Sequence, residues 1–373
     1  MHWRRIRELV RKEFIQLFRD KKNRPLLIVA PLIQLTLFGY VVTTDVRDIR
    51  VGLIDQCRTP ESRMLIDAIQ GNKTFRIDHW PEHPMELERL LLRRRIDLAI
   101  KIPPDFGERV RRRDTGEIQI LVDGSMSNMA AVRISHTMVL LENINRRMIR
   151  DIYARSVDYG EIDGRIRTWY NPNLDSQNFY VPGIVAFLVM LLTLLLTSLA
   201  IIREKESGTM EQLIVTPLKP WELILGKTIP FILIAQGQML VVTVFAILWF
   251  KIPLVGSITL LLGATCLFLL STLGIGLFIS TVSRTQQQAM MTTFFFILPF
   301  FMLSGFVFPI ANMPEIVQWF TYLNPLRHFL IIIRGIFLKG TGIAELWPQF
   351  VNLAILGFFV FSGAVSRFQK RLD

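Results

Sequence analysis

The sequence predicts a polytopic α-helical membrane protein with six transmembrane helices, an outer re-entrant helical hairpin and an inserted extracytoplasmic α/β domain. Three observations predict it. Six long runs carry no Asp, Glu, Lys or Arg, in a chain of 373 residues that is 20% charged. Positive charge is concentrated at the two ends. Between the first and second runs the hydrophobic pattern switches to alternating strands and helices.

The runs are Pro25–Thr44, Phe179–Ile202, Ile229–Phe250, Ile258–Val282, Ala289–Phe308 and Leu346–Ser366. A spanning helix needs roughly 20 apolar residues to cross a hydrocarbon layer of ~30 Å. A charge at the bilayer centre costs about 2.5–3.5 kcal/mol on insertion scales, so charge-free runs of this length are strong evidence. Residues 1–24 hold nine Lys/Arg against three Asp/Glu, and the tail 367–373 holds three against one. Segment 43–179 is nearly neutral, with 22 basic and 21 acidic residues. Short basic flanks stay in the cytoplasm, whereas long loops translocate largely regardless of charge. Both termini are therefore expected in the cytoplasm, and the long segment outside it. The basic start and first run look like a secretory signal, but Thr43–Arg47 offers no small-residue cleavage site, so an uncleaved anchor is expected.

Residues 1–24 form the first element. Trp3, Ile6, Val10, Phe14, Leu17 and Phe18 recur at helical spacing among basic residues. This is the pattern of an amphipathic helix lying in the cytoplasmic membrane interface. The first span, 25–44, follows. Residues 45–178 are expected to be the outer domain, of ordinary domain size. Ile49–Asp55, Phe75–Trp80, Leu98–Ile102 and Ile118–Asp123 read as strands, with helices over Glu61–Gln70, Pro84–Arg94 and Phe106–Arg113. That alternation predicts a mostly parallel sheet with crossover helices. A long helix from about Ser125 either docks on the sheet or carries the domain above the membrane; its pattern allows both.

The second span, 179–202, leads into a cytoplasmic loop at 203–228, with four basic and four acidic residues and Pro217 and Pro220. Glu206, Met210, Leu213 and Ile214 suit a short helix there, well placed to bind another protein. Spans at 229–250, 258–282 and 289–308 follow. Within 309–344 the apolar stretch Ile316–Leu338 is broken by Asn324-Pro325 and contains Arg327 and Arg334. Counting it as a span would place the basic tail outside. It is read instead as two short helices that turn back in the outer leaflet, marked by Pro309, Asn312, Pro314, Asn324 and Pro325. Arg327 and Arg334 are expected to snorkel to headgroups. The sixth span, 346–366, ends in the cytoplasmic tail 367–373.

Several chemistries are disfavoured. Proton- or ion-coupled transporters usually hold a charged side chain inside the membrane, and the six runs have none, which points to an external motor. Gly226-Lys227-Thr228 matches the end of a phosphate-cradling loop, but Trp221 stands where the first Gly belongs. His79-Trp80-Pro81-Glu82-His83 spells a zinc-protease pattern, yet Pro81 and Pro84 oppose the helix it requires. Arg93–Arg95 and Arg111–Arg113 lie in a nearly neutral segment without interleaved aromatics, so nucleic acid is not expected as a partner. Cys57 and Cys266 are the only cysteines and fall on different sides of a membrane interface, so no disulfide is expected. Gly263, Gly274, Gly276, Ser271 and Ser280 supply small residues for helix packing.

The segment IIREKESGTMEQLIVTPLKPWELILGK at 201–227 resembles the stretch after the second span in type-2 ABC exporter permeases, where it marks the coupling helix. LGIGLFISTVSRTQQQAM, MLSGFVFPIANMP, YLNPLRHF and WYNPNLDSQNFYVPG resemble further segments of that family. The likeness covers essentially the whole chain and is closest to bacterial exporters of drugs and amphiphiles. It implies a permease of the inner membrane that pairs with a second copy or a similar subunit and performs no covalent chemistry. ATP and Mg would be bound by a separate ABC ATPase, docked on Arg203, Glu204, Glu206, Gly208, Thr209, Glu211 and Leu213. A periplasmic adaptor and an outer-membrane channel are further partners the resemblance brings. The alternative from another class is a membrane-anchored sensor or scaffold whose outer domain binds a ligand.

Overall fold

The computed structural model describes residues 2–19, 23–41, 48–112, 114–125, 127–153, 169–171, 175–208 and 220–369. The chain divides into two compact units, one of residues 44–166 and one of residues 1–43 with 167–373.

The first unit is built on a four-stranded sheet of order β2-β1-β3-β4. Its strands are β1 (Ile49–Asp55), β2 (Phe75–His79), β3 (Leu98–Ile102) and β4 (Gln119–Val122). β1 runs parallel to β2 and β3, and β4 returns antiparallel to β3. The helices are α3 (Pro60–Gln70), α4 (Pro84–Leu92), α5 (Phe106–Arg111) and α6 (Ser127–Tyr153), following α1 (His2–Arg19) and α2 (Asn23–Val41) of the other unit. Thr59 and Ser62 start α3 with a reciprocal capping box. Strand residues Ile49, Val51, Leu53, Leu98 and Ile100 pack with Leu65 and Ile69 of α3. Leu140, Ile144 and Met148 of α6 join the same cluster, so α6 docks on the sheet unit along its apolar stripe. Leu87 of α4 packs separately with Ile54, Ile96 and Ala99. Asp97, just before β3, accepts from Arg50 Nε at 2.9 Å and Arg133 Nη2 at 2.8 Å, tying β1 and α6 together. Burial opposes ionisation of Asp97, but the hydrogen bonds from Arg50 and the charge of Arg133 outweigh it and hold the carboxyl below its ordinary value.

The second unit is helical. After α1 and α2 come α7 (Ser176–Glu206), α8 (Pro220–Phe250), α9 (Ile258–Val282), α10 (Gln286–Met302), α11 (Glu315–Thr321), α12 (Pro325–Arg334) and α13 (Ile343–Gln369). Among the described residues, four helices are long and apolar enough to cross a membrane: α7, α8, α9 and α13. α7 is buried from Val181 to Ile202 on several faces and packs against α2, α8, α9, α10 and α12. α9 lies against α13 and α7, where Gly274 meets the α13 backbone at Phe361 and Gly276 meets Thr197. A Cβ on Gly274 would stand 2.8 Å from the Phe361 nitrogen. Phe268 of α9 stacks on Phe329 of α12, with ring centroids 4.3 Å apart.

The boundaries correct several expectations. The described part of the first expected span is α2, which ends at Val41. α7 continues through Arg203–Glu206, so these residues close a helix rather than open a loop. Pro220 begins α8, whose first turns take in Trp221–Thr228; a proline at the first helical position loses no hydrogen bond. The connection between α7 and α8 is therefore residues 207–219. The helix of the fifth run is Gln286–Met302, 17 residues starting behind the N-cap Thr285, so it begins before Ala289 and leaves the run beyond Met302 non-helical. It stops early because the chain turns at Ser304, and Gly305 adopts φ +82°, a conformation glycine accepts readily. The short helix expected across Glu206–Ile214 lies outside the described residues beyond Gly208.

Candidate functional site

The candidate site lies where α1, α7 and α8 meet, and it is built around the buried charges Glu13, Glu204, Glu222 and Lys227. The last turn of α7 carries Glu204, 5% exposed, and the second turn of α8 carries Lys227, 4% exposed. Lys227 Nζ stands 2.6 Å from Glu204 Oε2 and 3.6 Å from Glu13 Oε1 of α1. It also donates to the carbonyl of Ala200, at 3.4 Å. Lys12 Nζ reaches the other Glu204 oxygen at 3.3 Å. Beside them, Arg5 lies 3.9 Å from the buried Glu222. Three cations thus face three carboxylates, and buried charge of this kind is tolerable only when paired.

Gly226 brings these groups together. A Cβ there would stand 2.8 Å from Cβ of Leu9, so only glycine lets α1 sit this close to α8. The residues that ended a broken phosphate-loop pattern in the sequence thus have a packing use: Gly226 seats α1, Lys227 links three helices, and Thr228 bonds back to Ile224. Sequence reading missed Glu13, Glu222 and Lys227. The available signal was a single lysine at the head of an apolar run, next to a glycine.

Glu206, two residues past Glu204, turns the other way. Its Oε1 accepts from the backbone N–H of Gln286 at 2.7 Å, and its Oε2 accepts from the Gln286 side chain. Gln286 is the first residue of α10, so Glu206 places a carboxylate at a helix N-terminus, where the dipole favours it. Arg203 is exposed on the same turn. Gly208 adopts φ +71°, a left-handed conformation of the kind that terminates helices such as α7. Thr209, Glu211 and Leu213 lie outside the described residues.

The predicted interfacial helix is present as α1, but its apolar residues divide. Ile6 is buried, Val10 and Phe14 are partly buried, and Trp3 is 81% exposed. Phe18 is exposed and stacks on Phe14. The Leu17 side chain lies outside the described residues. The face that meets α8 runs along Ile6, Leu9 and Glu13, rotated from the apolar stripe because the ion pairs and Gly226 draw that side inward.

In the predicted hairpin, Pro309, Asn312 and Pro314 are exposed around a short 3-10 turn at Ile310–Asn312. Asn324 and Pro325 are buried at the junction of α11 and α12. Asn324 caps α12 by accepting from Leu326 N–H at 3.0 Å, and its amide donates to Phe300 O at 2.7 Å. Arg327 and Arg334 fold back onto the protein: Arg327 lies over Tyr322 and Arg334 over Phe179, each within 4 Å of the ring centre.

Residues 25–365 match the model of a family described as ABC-2 family transporter protein. The chain is 31% identical over 368 residues to the probable multidrug ABC transporter permease YbhR of Escherichia coli K12, covering 99% of each chain. It is 34% identical over 355 residues to the probable multidrug ABC transporter permease YbhS of the same strain, covering 91% of this chain and 90% of that one. The inner membrane transport permease YhhJ of that strain is 29% identical over 381 residues, covering 100% of this chain and 98% of its own.

Proposed function

Because the chain belongs to the ABC-2 family of transporter proteins, we propose that it is the membrane subunit of an ATP-driven exporter, coupled to a separate ATPase through the connection between α7 and α8. The observation that carries this reading is the double anchoring of that connection. Glu204 on its near side is tied to Lys227 on its far side and to α1, while Glu206 is tied to α10. A push on residues 207–219 would therefore move the ends of four helices together. Such a rigid linkage is what a lever needs, since packed interfaces move between discrete arrangements rather than deforming continuously.

In this reading the chain crosses the inner membrane six times with both termini in the cytoplasm. α2 and α10 complete the count. A helix of 17 residues rises about 26 Å, close to the ~30 Å of the hydrocarbon layer. α11 and α12 form the outer hairpin, and residues 45–178 lie outside the cytoplasm. Two permeases, identical or related, enclose the pathway. ATP and Mg belong to the ATPase, and a periplasmic adaptor with an outer-membrane channel would extend the route outward. The cargo is drugs and other amphiphiles; the word multidrug in the names of two relatives supports the drug part of that reading. The test is ATP-driven efflux by the Glu206→Ala, Glu211→Ala double variant. Efflux should fall while membrane insertion stays at the parent level; unchanged efflux would remove the coupling assignment.

A further inference from the structure

Arg334 closes α12, next to the first turns of α7. Its guanidinium lies over the ring of Phe179, 3.7 Å from the centroid, with Phe306 5.9 Å away. Nε donates to the Phe179 carbonyl at 3.3 Å. The face and the Nε edge are thereby used within the protein. Nη2 is buried and has no hydrogen-bond partner among the described residues. Arg327 engages Gln318 O and Thr321 Oγ1 through Nη1, while its Nε is also buried without a hydrogen-bond partner among the described residues. One residue beyond Arg334, Gly335 leaves room for Thr341, whose hydroxyl is also buried without a partner among the described residues. Lys339, at the end of the π-helical turn Gly335–Lys339, lies 5.7 Å from the Tyr170 ring centre. Among the described residues, no carboxylate stands within 4.0 Å of either cation.

A buried guanidinium edge with an unused donor is costly unless something accepts from it. Its planar fork matches the paired oxygens of a phosphate or carboxylate. The surrounding rings provide apolar surface for a tail. We propose that Arg334 binds the oxyanion head of an amphiphile, with Phe179 and Phe306 holding the guanidinium in place and Lys339 adding long-range attraction. The ligand class is a single- or double-chain amphiphile bearing phosphate or carboxylate. This deepens the transport reading and rests on it only for the claim that such a ligand is cargo.

The test is binding of dodecyl phosphate and dodecyltrimethylammonium by the full chain in phosphatidylcholine nanodiscs, by calorimetry corrected against empty discs. Losing a charged hydrogen bond corresponds to about a tenfold change in affinity. Arg334→Gln should bind dodecyl phosphate about tenfold more weakly than the parent, with the ammonium compound unaffected. Arg334→Lys keeps the charge without the fork and should fall between them; it keeps the test readable if Arg334→Gln does not fold. Parent-like phosphate binding in either variant would overturn the proposal. Phosphatidylglycerol nanodiscs and native mass spectrometry separate the sources. A resident lipid headgroup predicts retained phosphatidylglycerol that Arg334→Gln loses, and competition with dodecyl phosphate. A free cargo predicts equal dodecyl phosphate binding in both lipids. The measurement needs no ATPase, so its failure would leave the transport reading standing.

Discussion

Replacing Lys227 by methionine removes the cation at the centre of the α1–α7–α8 junction while keeping most of its apolar stem. Two carboxylates then lose their nearest positive charge: Glu204, 2.6 Å away, and Glu13, 3.6 Å away. Both are under 10% exposed, so water cannot replace it. Removing one partner of a buried pair costs about 3–5 kcal/mol. Lys12 still faces Glu204 from 3.3 Å, but its side chain is 46% exposed and its compensation is partly screened. The lower figure, about 3 kcal/mol, is therefore expected. That corresponds to a fall in melting temperature of roughly 6–12 °C for a large domain. The assay is thermal unfolding of the purified protein in detergent, followed by tryptophan fluorescence. Adding Glu204→Gln to Lys227→Met should recover much of the loss, because a neutralised pair leaves less buried charge uncompensated. A single variant melting within a degree of the parent, or a double variant no better than the single, would refute the claim that this ion cluster holds the junction.

Further outcomes are expected. Gly226→Val should displace α1 from α8, since its side chain would meet Leu9; protease cleavage near the N-terminus would accelerate, whereas unchanged cleavage would show that α1 is held elsewhere. Asp97 has a carboxyl held below its ordinary value in the folded unit. Its stabilising contribution is thus fully present above the unfolded carboxylate value of about 3.9 and is lost as pH falls through the lower folded value. Denaturant unfolding read at Trp80 should show acid sensitivity below about pH 4 that Asp97→Asn flattens, and an identical pH profile in that variant would contradict the assignment. Cys57, partly buried beside Thr59 and Gly107, should react with an impermeant maleimide from outside the cytoplasm once the sheet unit is loosened by mild denaturant. Reaction only from the cytoplasmic face would reverse the topology.

Much of the architecture could be read from periodicity, because strands and spans each impose a regular pattern on adjacent residues. β1 and β3 appear over the same residues that alternate in the sequence. The break at Asn324-Pro325 likewise separates α11 from α12, since a proline and a capping side chain act locally. What escaped was set by contacts between distant segments. Lys227 reads as the flank of a span until α1 is folded over it, and Glu13 reads as a solvent-facing charge until Gly226 draws its helix inward. Arg334 reads as a snorkelling side chain, whereas the ring of Phe179, 155 positions away, gives it a surface to lie on. The motif residues Glu204 and Glu206 were singled out together, but folding gives them different partners: one joins the buried junction and the other starts α10.

The central claim is that this permease works with a separate ATPase held at the connection between α7 and α8. Its most direct test is gentle purification of the tagged chain from its native membrane, with mass spectrometry of what accompanies it. The account predicts an ATP-binding-cassette ATPase in near-equal amount, lost when Glu206 and Glu211 are both replaced by alanine. Absence of any such ATPase, even after crosslinking, would contradict it.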